Sequence, residues 1–368
     1  MSYQHGIDRV ELADRILRGK SIGLITNQTG LDLKFRRTVD ILNERYGLVK
    51  LFAPEHGLDG IQQANVEIDD VIDEKSGLPV LSMFKRNSTM DLSGLDIVAY
   101  DIQDVGLRFF SYISFLALAM KECAKADVPV VVFDRYDPLG LDRVSGTVLE
   151  KEFSSFVGMY EIPSQYGLTV GEYAKYINTE EGIGCELHVI PCADLSRSDD
   201  HSTLGVEWIQ PSPNAPTIQT IRAYVGTVVF EGTNVSEGRG TTRPFEFIGA
   251  PWINDTELAM EMNDKNLEGV VFRPIRFMPV FSKYQGECCR GMQIHIKDRK
   301  KFDSFRCGLV LMDTIRRNYP EFQTTDFLDK LLGTDAFNAI DFDCESFIEV
   351  QRKKIGKYLI KAQKYYLY

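Results

Sequence analysis

The chain has 368 residues, 44% apolar and 26% charged, values that exclude a disordered protein and leave room for one large domain or two closely packed ones. With 42 basic against 53 acidic side chains the formal charge is −11, which argues against a nucleic-acid-wrapping surface and favours small or neutral partners. No apolar run is long enough to span a bilayer, and "MSYQHGIDRVELADRILRGK" has no basic start leading into an apolar stretch. A cytoplasmic compartment is therefore expected for the chain as given, and an extracytoplasmic one if a leader has been trimmed.

In chain order, short β-branched runs alternate with amphipathic stretches, the rhythm of a parallel sheet flanked by helices. "SIGLITN" (21–27) reads as a buried strand, and "RRTVDILNERY" (36–46) as a helix with Val39, Leu42 and Tyr46 on one face. "LVKLFAP" (48–54) and "LDIVAYDI" (95–102) are the next strands, and "FFSYISFLALAMKECAKAD" (109–127) is a helix packed deep on the sheet. "VPVVVFD" (128–134), the helix "TVGEYAKYIN" (169–178) and the strand "ELHVIPC" (186–192) complete this unit, assigned to residues 1–205.

From about residue 200 the texture changes. "QPSPNAPT" (210–217) has three prolines in eight positions and reads as an ordered connection into a second unit, residues 206–368. There follow a helix near 217–230, a Gly-rich stretch "EGTNVSEGRGTTRPFEF" (231–247), strands at 269–280 and 290–296, and helices at 300–318 and 345–366. In the last helix Ile348, Ile355, Leu359, Ala362 and Tyr366 share a face, and the lysines lie mostly elsewhere, as in a packed helix with a solvated basic side.

Seven scattered cysteines suit a reducing compartment better than a disulfide framework, and adjacent Cys288 and Cys289 fit a strand whose side chains alternate faces. There is no CxxC, and the five histidines never pair at ligand spacing, so no zinc site is expected. No cofactor is implied: GxxxxGK[ST], GxGxxG after the first strand and GxSxG are all missing, the nearest string to the last being Asn234 to Gly238.

Four strands end in compact polar groups: "TNQTG" (26–30), "PEHG" (54–57), "DIQDVGLR" (101–108) and "DRYDP" (134–138). In a parallel sheet with right-handed crossovers these carboxyl ends share one rim, where open α/β sheets bind ligands. Turn chemistry accounts for much of this, since Asn, Asp, Gly and Pro are what such corners require; Asn27 with Thr29 fits a plain turn and cap. It accounts less well for the crowd of Asp101, Gln103, Asp104, Arg108 and Tyr112, and not for Glu55 and His56. Glutamate is a poor turn former, and nothing local demands the histidine.

A carboxyl backed by apolar residues tends to hold its proton, as a general acid must. Cleaving a glycosidic bond needs such an acid and a second group that acts as nucleophile or positions water. Glu55 fits the first role, and Asp101, Asp104, Glu231 and Glu237 are candidates for the second. A divalent-metal phosphoesterase built on Glu55, His56, Asp101 and Asp104 fits less well, because such sites supply more carboxylates at tighter spacing.

Together "GLITNQTG", "FAPEHGLDG", "YDIQDVGLRFFSY", "FDRYDPLG", "PSPNAPT", "FEGTNVSEGRGTTRPFEFIGAPWI" and "FRPIRFMPVFSKYQGECCRGMQIHI" resemble, in the same order, the exo-β-N-acetylmuramidase family of peptidoglycan recycling, the NamZ type. That resemblance implies a Rossmann-like N-terminal subdomain, a smaller α+β C-terminal subdomain and a cleft between them. It implies release of N-acetylmuramic acid (MurNAc) from the non-reducing end of fragments such as MurNAc-GlcNAc, with the glutamate of "PEHG", Glu55, as the catalytic residue and no metal or nucleotide.

The lactyl carboxylate of MurNAc is best matched by an arginine fork, for which Arg108, Arg239 and Arg243 are candidates. Asn214, held between prolines, is placed to read a hydroxyl or the N-acetyl group. His56, Asn27, Gln103, Tyr112, Glu231, Asn234 and Glu237 complete the expected substrate contacts. Phe110, Tyr112 and Phe115 are stacking candidates that helical spacing also fits to a core. Two other readings use the same cleft: a muropeptide-binding or sensing protein without turnover, and a metal-dependent hydrolase. Oligomeric state and stereochemical course have no signature in the sequence.

Overall fold

The computed structural model describes residues 2–63, 66–85 and 89–368. After α1 (Asp14–Leu17) come β1 (Ile22–Thr26), α2 (Thr38–Arg45), β2 (Leu48–Ala53), β3 (Val71–Ile72), β4 (Pro79–Ser82), β5 (Ile97–Asp101), α3 (Tyr112–Lys125), β6 (Val130–Phe133), α4 (Val170–Glu180) and β7 (Leu187–Ile190). Their seven strands form one sheet in the order β3-β4-β2-β1-β5-β6-β7, parallel throughout except where β3 runs against β4. β1, β5 and β6 are buried at every position, as expected of strands covered on both faces by helices.

The second half holds α5 (His201–Leu204), α6 (Ile218–Thr227), β8 (Phe247–Ala250), α7 (Asp255–Asp264), β9 (Val270–Phe277), β10 (Cys289–Ile296), α8 (Ser304–Asn318), α9 (Asp326–Leu332) and α10 (Cys344–Ala362). Its sheet is antiparallel, β8-β10-β9. The fold is thus the expected α/β arrangement with a smaller α+β part. α1, β3, β4, α5, β8, α7 and α9 are additions to the sequence reading. The strands among them are two to four residues long, too short to show a period, and β8 lies at the end of the stretch read as a Gly-rich loop. Cys289 is buried within β10 while Cys288 beside it is exposed, and all seven cysteines are free.

The two halves interlock. Val105, Leu107, Phe109 and Leu139 pack into the core of the second half, whereas Tyr358 and Ala362 at the end of α10 belong to the core around α3 and α4. The Tyr358 hydroxyl donates to the Tyr166 carbonyl at 2.8 Å, the Leu367 amide to Glu172 at 2.6 Å, and the Tyr368 hydroxyl to the fully buried Asp134 at 2.6 Å. Burial pushes the Asp134 carboxyl up to about 6, and the Tyr368 donor offsets part of that rise. Tyr368→Phe is therefore expected to cost about 1–3 kcal/mol, the usual penalty for stripping one donor from a buried acceptor, read as a lower urea midpoint at unchanged slope.

Candidate active site

The carboxyl ends of β1, β2, β5 and β6 do meet on one rim. Glu55 and His56 lie in the turn that leaves β2, where His56 adopts a left-handed backbone (φ 75°), followed by Gly57 at 81°. Such a φ is uncommon for a residue with a side chain and costs of order 1–3 kcal/mol unless the surroundings impose it. The surroundings here are specific: the Gly57 amide donates to the Pro54 carbonyl at 3.1 Å, and the His56 ring is bound to the Gln62 carbonyl through Nδ1 at 2.7 Å. A carbonyl oxygen only accepts, so Nδ1 carries the proton and a neutral ring keeps its acceptor at Nε2.

Glu55 is half-buried and accepts a 2.7 Å hydrogen bond from the hydroxyl of Ser111, the residue preceding α3. That bond fixes one carboxyl oxygen at the mouth of the cleft. The cleft holds about 810 Å³ and opens to solvent. From the first half of the chain it is lined by Glu55, His56, Ser111 and Tyr112, and from the second half by Asn214, Tyr224, Glu231 and Arg239. Phe84, Phe110, Phe156 and Phe327 supply aromatic surface of the kind on which a sugar ring stacks.

Charges alternate along the second wall. Arg239 Nη2 lies 3.2 Å from Glu231 and its Nε 3.5 Å from Glu237, and Lys283 Nζ lies 2.9 Å from the other oxygen of Glu237. The guanidinium also stands 5.1 Å over the ring of Phe245. Burial holds the Glu231 carboxyl above the ordinary glutamate range, against the pull of Arg239 and with a push from Glu237. Among the described residues lining the cleft Arg239 is the one permanent cation. Beyond Glu231, Arg239 and Phe327 the cleft continues into a polar recess that Gln63, Glu237 and Lys283 line.

The His56 ring is pushed below its ordinary 6.5 chiefly by burial, with Arg239 adding to the shift and Glu55 opposing it. The neutral ring is therefore the resident form at pH 7 and persists below pH 6.5. If the Nε2 acceptor is used in binding, the acid limb of kcat/KM that disappears in His56→Gln is expected below pH 6.5, as a profile from pH 4.5 to 8 would show.

Several residues expected in the site are elsewhere. Asp101 is fully buried beneath the rim, with Arg135 Nε and Nη2 donating to its two oxygens at 2.5 and 2.8 Å and the Thr38 hydroxyl adding a short bond. It is a strut between β5 and the loop after β6. Asp104 is buried too, bound by the Gly106 amide at 2.7 Å and by a short bond from the Tyr166 hydroxyl, and burial lifts it to about 6. Gln103 spends its amide on the Asp104 and Tyr136 carbonyls at 2.7 and 2.8 Å. None of the three lines the cleft. Gln103 and Asp104 turn inward to satisfy the buried backbone of the loop after β5, and Asp101 to pair with Arg135.

Arg108 is likewise interior. Its Nη2 donates to the Leu331 and Leu332 carbonyls at the end of α9 at 2.9 and 3.2 Å, it faces no carboxylate among the described residues, and burial lowers it to about 9. It ties the halves together and cannot read a substrate carboxylate. Asn27 builds the turn after β1, accepting from the Thr29 amide and hydroxyl at 2.9 and 2.6 Å. Asn234 clamps the Glu321–Gln323 segment through bonds of 2.7 and 2.9 Å, and Arg243 is exposed and paired with Glu246. Glu237 is buried beside the cleft, holding Arg239 and Lys283.

Tyr112 and Asn214 do line the cleft. The Tyr112 hydroxyl makes a short bond to the Pro211 carbonyl, and the Asn214 amide donates to Gln63 at 3.1 Å. Phe110 lines the cleft with them, while Phe115 lies in the core of the first half. Ser111, Tyr224, Phe84, Phe156, Phe327 and Lys283 were not anticipated. Ser111 and Lys283 sit within motifs quoted above, but only the fold shows that Ser111 meets a residue 56 positions away. Among the described residues no three His, Cys, Asp or Glu side chains are grouped to hold a metal ion, and no helix is long and apolar enough to cross a membrane.

Known proteins match this chain along its whole length. The family description for the exo-β-N-acetylmuramidase NamZ matches in two parts, N-terminal over residues 22–219 and C-terminal over 222–368. The chain is 41% identical to the peptidoglycan β-N-acetylmuramidase NamZ of Bacillus subtilis (strain 168), an alignment covering 99% of this chain and 91% of that protein. Crystal structures of two DUF1343 family proteins from Bacteroides fragilis NCTC 9343 superpose with TM-scores of 0.91 and 0.81. Their identities are 32% and 28%, and each covers 100% of this chain and 99% of the other.

Proposed function

Because this chain belongs to the exo-β-N-acetylmuramidase NamZ family, we propose that it is a glycosidase releasing N-acetylmuramic acid from the non-reducing end of peptidoglycan fragments such as MurNAc-GlcNAc, with Glu55 as general acid. The observation that carries the residue assignment is the pairing of two carboxyls from opposite halves of the chain, Glu55 and Glu231, in one aromatic-rimmed cleft. Hydrolysis at an acetal needs one group to protonate the departing oxygen and another to meet the developing positive charge or to activate water.

Ser111 holds Glu55 for the first task. Glu231, pushed up by burial and steadied by Arg239, is the second group, basic enough to take a proton from water. Arg239 is the guanidinium available to the lactyl carboxylate, and neutral His56 offers an acceptor to a sugar hydroxyl. The direct test is incubation with MurNAc-GlcNAc followed by proton NMR. Free MurNAc and GlcNAc are expected, and the first anomer to appear gives the stereochemical course. A GlcNAc-GlcNAc disaccharide, which lacks the lactyl group, is expected to remain intact. Saturable binding of MurNAc-GlcNAc with no sugar released would favour the muropeptide-binding reading, and loss of activity in EDTA the metal-dependent one.

A further inference from the structure

We propose that the protein carries a second binding site, behind helix α6, for the phosphate group of a small molecule. α6 presents Ile221 and Tyr224 to the catalytic cleft, and its neighbouring positions Arg222 and Val225 line a separate open pocket of about 840 Å³. The pocket lies at the seam between the two halves of the chain. Residues 139–145, Gln165 and Asp200 form one side, and α6 with residues 299–304 forms the other.

Five cations converge there in a chain whose formal charge is −11: Arg143, Arg222, Arg299, Lys300 and Lys301. Three acids also line it, but two are already committed. Asp200 caps α5 through the Ser202 and Thr203 amides at 2.8 and 3.1 Å and holds Arg299 Nε at 2.6 Å. Asp303 caps α8 by accepting from the Arg306 amide at 3.0 Å. The third, Asp142, is exposed. The side chains of Arg143, Lys300 and Lys301 have no acidic partner among the described residues.

Arg222 is 9% exposed and forms the pocket's inner wall. Its guanidinium gives one hydrogen bond to the Ser202 hydroxyl at 2.7 Å, and the nearest oxygen of Asp200 is 3.7 Å away. Burial pushes Arg222 below the ordinary arginine value, and the positive charges of Arg299 and Arg143 push it further than Asp200 alone would allow. Unbalanced positive charge lining an open pocket is the electrostatic signature of an anion site. A carboxylate would be satisfied by a single arginine fork, whereas several converging cations suit the three terminal oxygens of a phosphate.

The test titrates inorganic phosphate against the intact protein in a thermal-unfolding assay, with sodium chloride at matched ionic strength as the reference. The expected result is a rise of about 2 °C over chloride once phosphate is tenfold above its Kd. That rise should be lost in the double variant Arg143→Ser, Lys301→Ser. Neither side chain has an ion-pair partner to lose, so the double variant is expected to fold, and its MurNAc-GlcNAc turnover serves as the check. Glucose 6-phosphate, with glucose as control, identifies the source of the phosphate: a larger shift than with inorganic phosphate means that the rest of the molecule is also held, and an equal shift means that the phosphate alone is. Equal melting points in phosphate and chloride, or a phosphate shift that survives in the double variant, would overturn the proposal.

Discussion

Glu55→Gln is expected to lower turnover of MurNAc-GlcNAc by about 10²–10⁴-fold while leaving the fold unchanged. Glutamine keeps the length of the side chain and an oxygen for the Ser111 hydroxyl, so the hydrogen bond at 2.7 Å has a near-equivalent in the variant. What it cannot do is donate an acid proton. The loss should depend on the leaving group: a sugar alkoxide needs protonation to depart, whereas a nitrophenolate scarcely does. The same variant is therefore expected to lose far less on an activated aryl MurNAc glycoside. Glu231→Gln should be impaired on both substrates, because activating water is required whatever leaves. Steady-state kinetics on the two substrates make the comparison, and near-normal turnover of the disaccharide by Glu55→Gln would remove Glu55 from the reaction.

The largest stability effect is expected at a residue that never touches substrate. Arg135→Met should destabilise the protein by about 3–5 kcal/mol, since it strands the carboxylate of Asp101 with both partners at 3% exposure or less. The Leu31 carbonyl loses a 2.8 Å donor in the same step. Adding Asp101→Leu to Arg135→Met should recover much of that loss, because a removed pair costs less than a broken one. Urea midpoints of the two single variants and the double variant complete the cycle. A catalytic Asp101 would show the opposite profile, with activity abolished by Asp101→Asn and stability barely moved.

That contrast marks how far the sequence could be read. The sheet was legible because β1, β5 and β6 are apolar until their last residues and buried throughout, and parallel strands force their carboxyl ends onto one rim. Glu55 was legible because a glutamate and a histidine exceed what a corner requires. Asp101, Gln103, Asp104 and Arg108 resembled a site for the same reason, yet each is absorbed by partners distant in the chain: Arg135 is 34 residues beyond Asp101, and Leu331 is 223 beyond Arg108. A polar cluster at a strand end carries no local mark of whether it faces solvent or the interior. The second wall was half legible, since Glu231 and Arg239 stood out in a Gly-rich stretch while Phe327 on the short helix α9 did not.

The stitching of α10 and the residues after it onto the first half sets an order of events during synthesis. Asp134 and Tyr368 are 234 residues apart, and at about 5–20 residues per second the ribosome needs roughly 10–50 s to pass from one to the other. Throughout that interval the flank of the sheet beside α4 has neither Tyr358 nor Tyr366 over it, and the Tyr366 ring that will cover Arg197 at 3.4 Å does not yet exist. The nascent first half must wait with an apolar face uncovered, so the chain's exposure to misassociation is set by translation speed as much as by its final stability.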